Sequence, residues 1–137
     1  MLKFVPAVSA AVLMAATLAI PPAAGAAEGP RFTAAQVQRG EKAYGEACAL
    51  CHGADMAGGP GIPSLTGPDF AFGWKDKPTA ELFDYVHKNM PPGQAGSLDE
   101  QQYLDIVAAI LAKNGVTAGQ EELKPGAPSL AAAPALR

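Results

Sequence analysis

The sequence Cys48-Ala49-Leu50-Cys51-His52 constrains this 137-residue chain more than any other feature. Two thiols three positions apart, followed directly by a histidine, form the C-x-x-C-H pattern through which haem is attached covalently. Each thiol can add to one vinyl group of a porphyrin, and the histidine can then bind the iron through an imidazole nitrogen. The chain has no other cysteines, so we interpret Cys48 and Cys51 as the attachment points of one haem c and His52 as an iron ligand.

Two other uses of paired cysteines fit the sequence less well. A thioredoxin-like redox pair occurs in a βαβ setting, and the chain shows no such alternation of strands and helices. A zinc site requires a fourth ligand, whereas the only other histidine, His87, is far away in the sequence and has no cysteine beside it.

The first 27 residues have the features of a secretory signal peptide. Lys3 precedes an apolar run over residues 4–20, two prolines follow, and small residues up to Ala27 offer a cleavage site. The alternative is an uncleaved membrane anchor, because the run is as long as the shortest bilayer spans, ~17 residues. Both interpretations place the domain outside the cytoplasm. We predict a periplasmic protein that is soluble after cleavage and contacts a membrane only if residues 1–27 are retained.

The rest of the chain predicts one small domain, residues 28–123, followed by a disordered Ala/Pro-rich tail, residues 124–137. So short a chain builds only a small apolar core, and the haem would supply part of that core. Without Lys3 the net charge falls from −3 to −4, which disfavours nucleic acid or anionic lipid as a partner.

Helical periodicity and capping patterns predict an all-α fold of three to five short helices. Thr33 begins the first helix as the N-cap of a capping box with Gln36, and this helix leads to the thiols. Thr79 begins a second helix that ends before Pro91. Ser97 begins the third and strongest helix. Its apolar residues recur at helical spacing: Tyr103, Ile106, Val107, Ile110 and Leu111.

Two further local features bear on the packing. Residues 53–73 are rich in Gly and Pro without sustained periodicity, and we predict that they form an ordered loop wrapped around the haem. Gly40 lies inside the first predicted helix, where glycine costs about 1 kcal/mol relative to alanine. A close crossing with another helix would explain Gly40, and an incidental surface glycine is the alternative.

Three residues after the motif are candidates for a second iron ligand. Met56 follows His52 too closely to reach the opposite face of the haem, and we expect it to pack at the ring edge or lie exposed. His87 lies on a charged helix end and is interpreted as a solvated surface residue. Met90 ends a helix and is followed by two prolines, which stiffen its backbone. A soft thioether in a fixed position suits an iron ligand. The alternative is that Met90 only fills space in the core.

The motif after a capped helix, Met90-Pro91 some forty residues later and an aromatic-bearing last helix together resemble the class I cytochromes c, over residues 33–115. The resemblance implies a cytochrome c-like fold with His52 as the proximal ligand and Met90 as the distal ligand. It further implies that the carbonyl of Pro63 accepts the free ring N–H of His52 and that Trp74 donates to a haem propionate. Gly40 and Tyr44 match positions that pack against the last helix near Tyr103.

The segment from Glu81 to Tyr103 is also similar to small cytochromes that accompany periplasmic dehydrogenases, including quinoprotein alcohol dehydrogenases. These resemblances imply an electron carrier and not an enzyme. Its partners would be a dehydrogenase or respiratory donor and an oxidase or cytochrome acceptor. The protein itself would be a monomer or would form only weak complexes. Two alternatives stay open: a five-coordinate haem enzyme or gas sensor, and a membrane-tethered subunit of an oxidoreductase complex.

Overall fold

The computed structural model describes Met1, residues 32–132 and residues 135–136 of the chain. The described part contains six helices and two isolated β-bridges, which confirms the predicted all-α class. Two of the helices are single short turns that the sequence patterns did not reveal. The helices are α1 (Ala34–Ala47), α2 (Ala49–His52), α3 (Gly67–Trp74), α4 (Thr79–Asn89), α5 (Glu100–Lys113) and α6 (Pro128–Ala132).

Helix α1 begins as predicted but not with the predicted capping box. The Thr33 side chain accepts a hydrogen bond from the Gln36 backbone N–H at 3.1 Å. The Gln36 side chain does not reach back to Thr33. It is fully buried, donates to Asp105 at 2.9 Å and to the Leu123 carbonyl at 3.0 Å, and accepts from the Leu123 N–H at 2.8 Å. A buried amide requires partners for both of its ends, and distant residues supply them.

The first and last long helices cross at Gly40. A Cβ at this position would overlap the Asp105 carbonyl group and lie 3.0 Å from the Ala109 side chain. The close-crossing interpretation of Gly40 is therefore correct. Helix α5 is buried continuously from Tyr103 to Leu111, so it forms the centre of the domain against which α1 and α4 pack.

Helix boundaries between residues 53 and 100 differ from the sequence-based prediction in three places. Helix α3 lies almost entirely within the segment predicted as a loop, and it begins at Gly67-Pro68, where proline suits the first helical turn. Pro78 and not Thr79 is the N-cap of α4. Asp99 and not Ser97 caps α5, in a complete capping box with Gln102.

The C-terminal segment differs from the disordered tail expected for residues 124–137. Helix α6 packs against α4, and Leu130 and Leu136 are each only 5% exposed. The Leu136 carbonyl accepts a hydrogen bond from the Asp76 N–H, and the Ala135 N–H donates to the Lys77 carbonyl. Leu130 and Leu136 are thus buried against other parts of the domain, and composition alone does not reveal this.

The expected leader, residues 1–27, lies outside the described residues apart from Met1. In the part of the chain that is described, no helix combines the length and the apolar character needed to cross a bilayer.

Candidate haem site

The cysteine motif forms the turn between α1 and α2. The Cys48 N–H closes α1 by donating to the Tyr44 carbonyl at 2.8 Å, and the His52 N–H donates to the Cys48 carbonyl at 3.0 Å. The two cysteines form no disulfide with each other; Cys48 is half-buried, Cys51 is exposed and His52 is buried. The turn therefore presents two thiols and an imidazole within five residues.

The environment of Cys48 bears on the thioredoxin-like alternative. Burial, helped by the neighbouring Cys51, raises the pKa of the Cys48 thiol to about 11. Redox-active pairs instead lower the pKa of a thiol so that the nucleophilic thiolate exists at neutral pH. Burial therefore does not activate Cys48 as a nucleophilic thiolate.

His52 is oriented by the loop that follows it. The Nδ1–H of His52 donates to the Pro63 carbonyl at 3.0 Å, which is the contact that the resemblance implied. Gly58 lets the loop fold this tightly: its φ is +74°, and a Cβ there would lie 2.8 Å from the carbonyl group of Pro63. With its proton on Nδ1, His52 keeps the lone pair of Nε2 for another partner.

A cavity of about 550 Å³ adjoins the motif. Its volume is within the range of ligand and cofactor sites in proteins. The structure brings together around it all of the residues predicted to bind the cofactor: Cys48, Cys51, His52, Pro63, Trp74 and Met90.

The rest of the cavity wall is mostly apolar. Leu82 and Val86 contribute from α4, and Ile106 and Ile110 contribute from α5. Two thiols, an imidazole and a thioether around an apolar cavity are the donor set and the surroundings that suit a covalently attached haem. In such a complex Cys48 and Cys51 would hold the porphyrin, and the apolar wall would exclude water from its faces.

Met90 lies at the end of α4 as its C-cap, with its N–H donating to the Val86 carbonyl at 2.9 Å. The Met90-Pro91 peptide bond is cis. The Met90 carbonyl accepts a hydrogen bond from the Tyr103 hydroxyl at 2.7 Å. Sequence reasoning counted Tyr103 only as an apolar position of α5, and nothing in the local pattern singles out its hydroxyl.

The other two ligand candidates do not line the cavity. Met56 is 5% exposed and lines a separate depression together with Tyr44. His87 is half-buried, stacked on Phe83 at 5.5 Å and edge-on to Tyr103 at 4.9 Å between ring centroids. His87 is therefore less solvated than the sequence predicts, because Phe83 and Tyr103 contact its ring.

Trp74 lines the cavity at the end of α3. Its ring is 6.3 Å from that of Phe70 and 5.6 Å from that of Tyr85, and the Lys77 ammonium lies 5.1 Å from its centroid. Trp74 is thus held by aromatic contacts and by a cation–π contact.

Comparison with known families agrees with this site. The family model described as cytochrome c oxidase, cbb3-type, subunit III matches residues 35–108, which are more than half of the chain. Comparisons with curated proteins and with solved structures give no match. The matched region contains the cysteine motif and most of α5, so the cytochrome c-like fold and one haem c, bound covalently through Cys48 and Cys51, are established. The chain therefore belongs to the family of cbb3-type cytochrome c oxidase subunit III and contains a c-type cytochrome domain.

Proposed function

We propose that this protein is a periplasmic electron carrier whose haem iron is bound by His52 on one face and by Met90 on the other. The observation that carries the proposal is that both side chains line one cavity, while Met56 and His87 do not. Two protein ligands leave no open position at the iron for a substrate or a gas.

The chain's own residues explain how such a site would work. The Pro63 carbonyl keeps the proton of His52 on Nδ1, which orients the ring and increases the basicity of Nε2. The bound haem supplies a one-electron redox centre, and a thioether opposite an imidazole favours its reduced state. Because both ligands are retained in either oxidation state, the surrounding helices have little need to move.

Trp74 is proposed to donate to a haem propionate. Its place in the cavity wall and its aromatic contacts support this role, since they fix the ring beside the site. Cys51 and Leu50, both exposed next to the cavity, would leave the edge of the porphyrin near the surface. Electrons would leave through this edge during short-lived contacts with partners, which typically bury less than ~1,200 Å².

The partners are proposed to be a dehydrogenase or respiratory donor and a terminal acceptor. The name of the matched family refers to a subunit of an oxidase, which supports an oxidase as the acceptor and keeps the membrane-tethered subunit as a second candidate. N-terminal sequencing of protein made in an export-competent host separates the two. A start after residue 27 supports a released carrier, and an intact Met1 supports the tethered subunit.

Visible spectra of the oxidised and reduced protein test the ligand assignment. The oxidised protein should show the weak sulfur–iron band, and Met90→Ala should remove it and allow the reduced protein to bind carbon monoxide. Met56→Ala is the matched control, because Met56 is buried outside the cavity and its variant should keep the band. Rapid carbon monoxide binding by the wild type would instead identify a five-coordinate haem enzyme or sensor.

A further inference from the structure

The Tyr103 hydroxyl connects two positions of the loop between α4 and α5, residues 90–99, which carries Met90. It donates to the Met90 carbonyl at 2.7 Å and accepts from the Gly96 N–H at 3.0 Å. Tyr103 itself belongs to α5 and is 1% exposed. One buried hydroxyl on the central helix therefore satisfies a backbone acceptor and a backbone donor on either side of a turn.

The position of this hydroxyl is fixed from two directions. The capping box of Asp99 and Gln102 holds the start of α5, one turn or less from Tyr103. The Tyr103 ring meets the edge of His87, which in turn stacks on Phe83. Because both the backbone and the ring of Tyr103 are held in place, its hydroxyl forms hydrogen bonds from a fixed position.

At its start the loop is also tied to α4, through a hydrogen bond from the Met90 N–H to the Val86 carbonyl at 2.9 Å. Its own backbone bonds are short-range, from the Gln94 N–H to the Pro91 carbonyl and from the Ser97 N–H to the Gln94 carbonyl. Gln94 and Ser97 thus shape the turn without fixing it to α5. The bonds of Tyr103 do fix it, and they act on the residue that bears the thioether.

We propose that Tyr103 is a positioning residue that holds the backbone of Met90 and so controls how easily the ferric iron exchanges its thioether for an external ligand. This inference rests on the proposed ligation of the iron by Met90. Tyr103 does not line the cavity, so it would act only through the Met90 carbonyl.

The test is imidazole binding to the ferric holoprotein, followed by the loss of the sulfur–iron band. Tyr103→Phe removes one hydroxyl and keeps the ring, so opening of the loop should become easier. Both hydrogen bonds of the hydroxyl are lost, so we expect imidazole to bind at least about fivefold more tightly, which is the effect of losing one ordinary hydrogen bond.

Tyr44→Phe is the matched control. The Tyr44 hydroxyl also donates to a backbone carbonyl at 2.7 Å, that of Gly53, which follows His52 in the sequence and is not part of the loop that carries Met90. Its loss should leave the imidazole affinity unchanged. An unchanged affinity in Tyr103→Phe overturns the inference, and so does an equal gain in both variants, because that would reflect general destabilisation.

Failure of the ligand assignment gives a different result. If Met90 does not bind the iron, the wild type lacks the sulfur–iron band and Met90→Ala leaves imidazole binding unchanged. If the band is present and only Tyr103→Phe has no effect, the ligation stands and the role of Tyr103 is wrong.

A second measurement needs no variant. Hydrogen exchange in the wild-type holoprotein should show the Gly96 amide protected, since its N–H is bonded to a buried hydroxyl. Exchange at the rate of an unstructured amide would overturn the inference even if Tyr103→Phe failed to fold.

Discussion

Gly40 lies directly against the backbone of Asp105, with no room between them for a methyl group. The contact brings together α1, which leads to the haem-binding cysteines, and α5, which lines the haem cavity. The two helices can approach this closely only because Gly40 has no side chain. The position of the two cysteines relative to the cavity therefore depends on Gly40, which does not itself line the cavity.

Gly40→Ala should lower the free energy of unfolding by about 2 kcal/mol, because the added methyl group overlaps the Asp105 carbonyl and forces the helices apart. Gly45→Ala is the control on the same helix: Gly45 is exposed, and a Cβ there meets nothing within 4 Å. This control should gain about 0.5–1 kcal/mol from helix propensity. Denaturant unfolding of the holoproteins measures both, and equal effects would contradict the close crossing.

Gln36→Leu should destabilise the domain by about 1–3 kcal/mol, because the buried N–H of Leu123 loses its acceptor. The substitution keeps a side chain of similar size, so the lost hydrogen bonds and not a cavity should dominate. Gln38→Leu, on the exposed side of α1, should have little effect. If the two variants unfold at the same denaturant concentration, the amide of Gln36 contributes nothing.

The stability of the protein should depend on Tyr44 at high pH. Burial is the main reason that the pKa of its hydroxyl rises from 10.0 to about 12. The unfolded chain then loses this proton more easily than the folded one, so the contribution of Tyr44 is complete below pH 10 and disappears as the pH approaches 12. Between pH 10 and pH 12 the free energy of unfolding should therefore decrease less steeply with pH for Tyr44→Phe than for the wild type. Parallel curves would show that Tyr44 keeps an ordinary pKa.

Leu130→Ala tests whether the C-terminal segment packs against the domain. Leu130 is 5% exposed, and its truncation should cost about 2 kcal/mol or more of unfolding free energy if α6 covers α4 as observed. Lys124→Ala, at an exposed position of the same segment, should cost almost nothing. No difference between the two would favour the disordered tail that composition suggests.

Part of the haem site could be predicted because its chemistry is local in the sequence. Cys48, Cys51 and His52 occupy one turn, whereas the contact of Pro63 with His52 was implied only by the resemblance to the class I cytochromes c. Met90 could be singled out because the prolines after it stiffen its backbone. Its place in the same cavity as His52 agrees with that reasoning, although the iron bond itself stays a prediction.

The errors arose where long-range partners decided the outcome. Thr33 and Gln36 have the spacing of a capping box, but Asp105 and Leu123 provide the Gln36 side chain with buried partners that no local pattern contains. Ser97 and Asp99 begin two overlapping capping patterns, and only the start of α5 shows which one forms. The hydroxyl of Tyr103 was missed for the same reason, since its acceptor is on another segment.

The bond between Gln36 and Asp105 joins residues 69 positions apart, so α1 cannot pack against α5 until most of the chain has been synthesised. Chains emerge from the ribosome with the N-terminus first, and bringing such distant segments together costs conformational entropy. We therefore expect the cysteine motif to meet its porphyrin on a nascent or newly exported chain that is still open. The covalent links would then form before α1 packs against α5, and the domain would fold around a haem that is already attached.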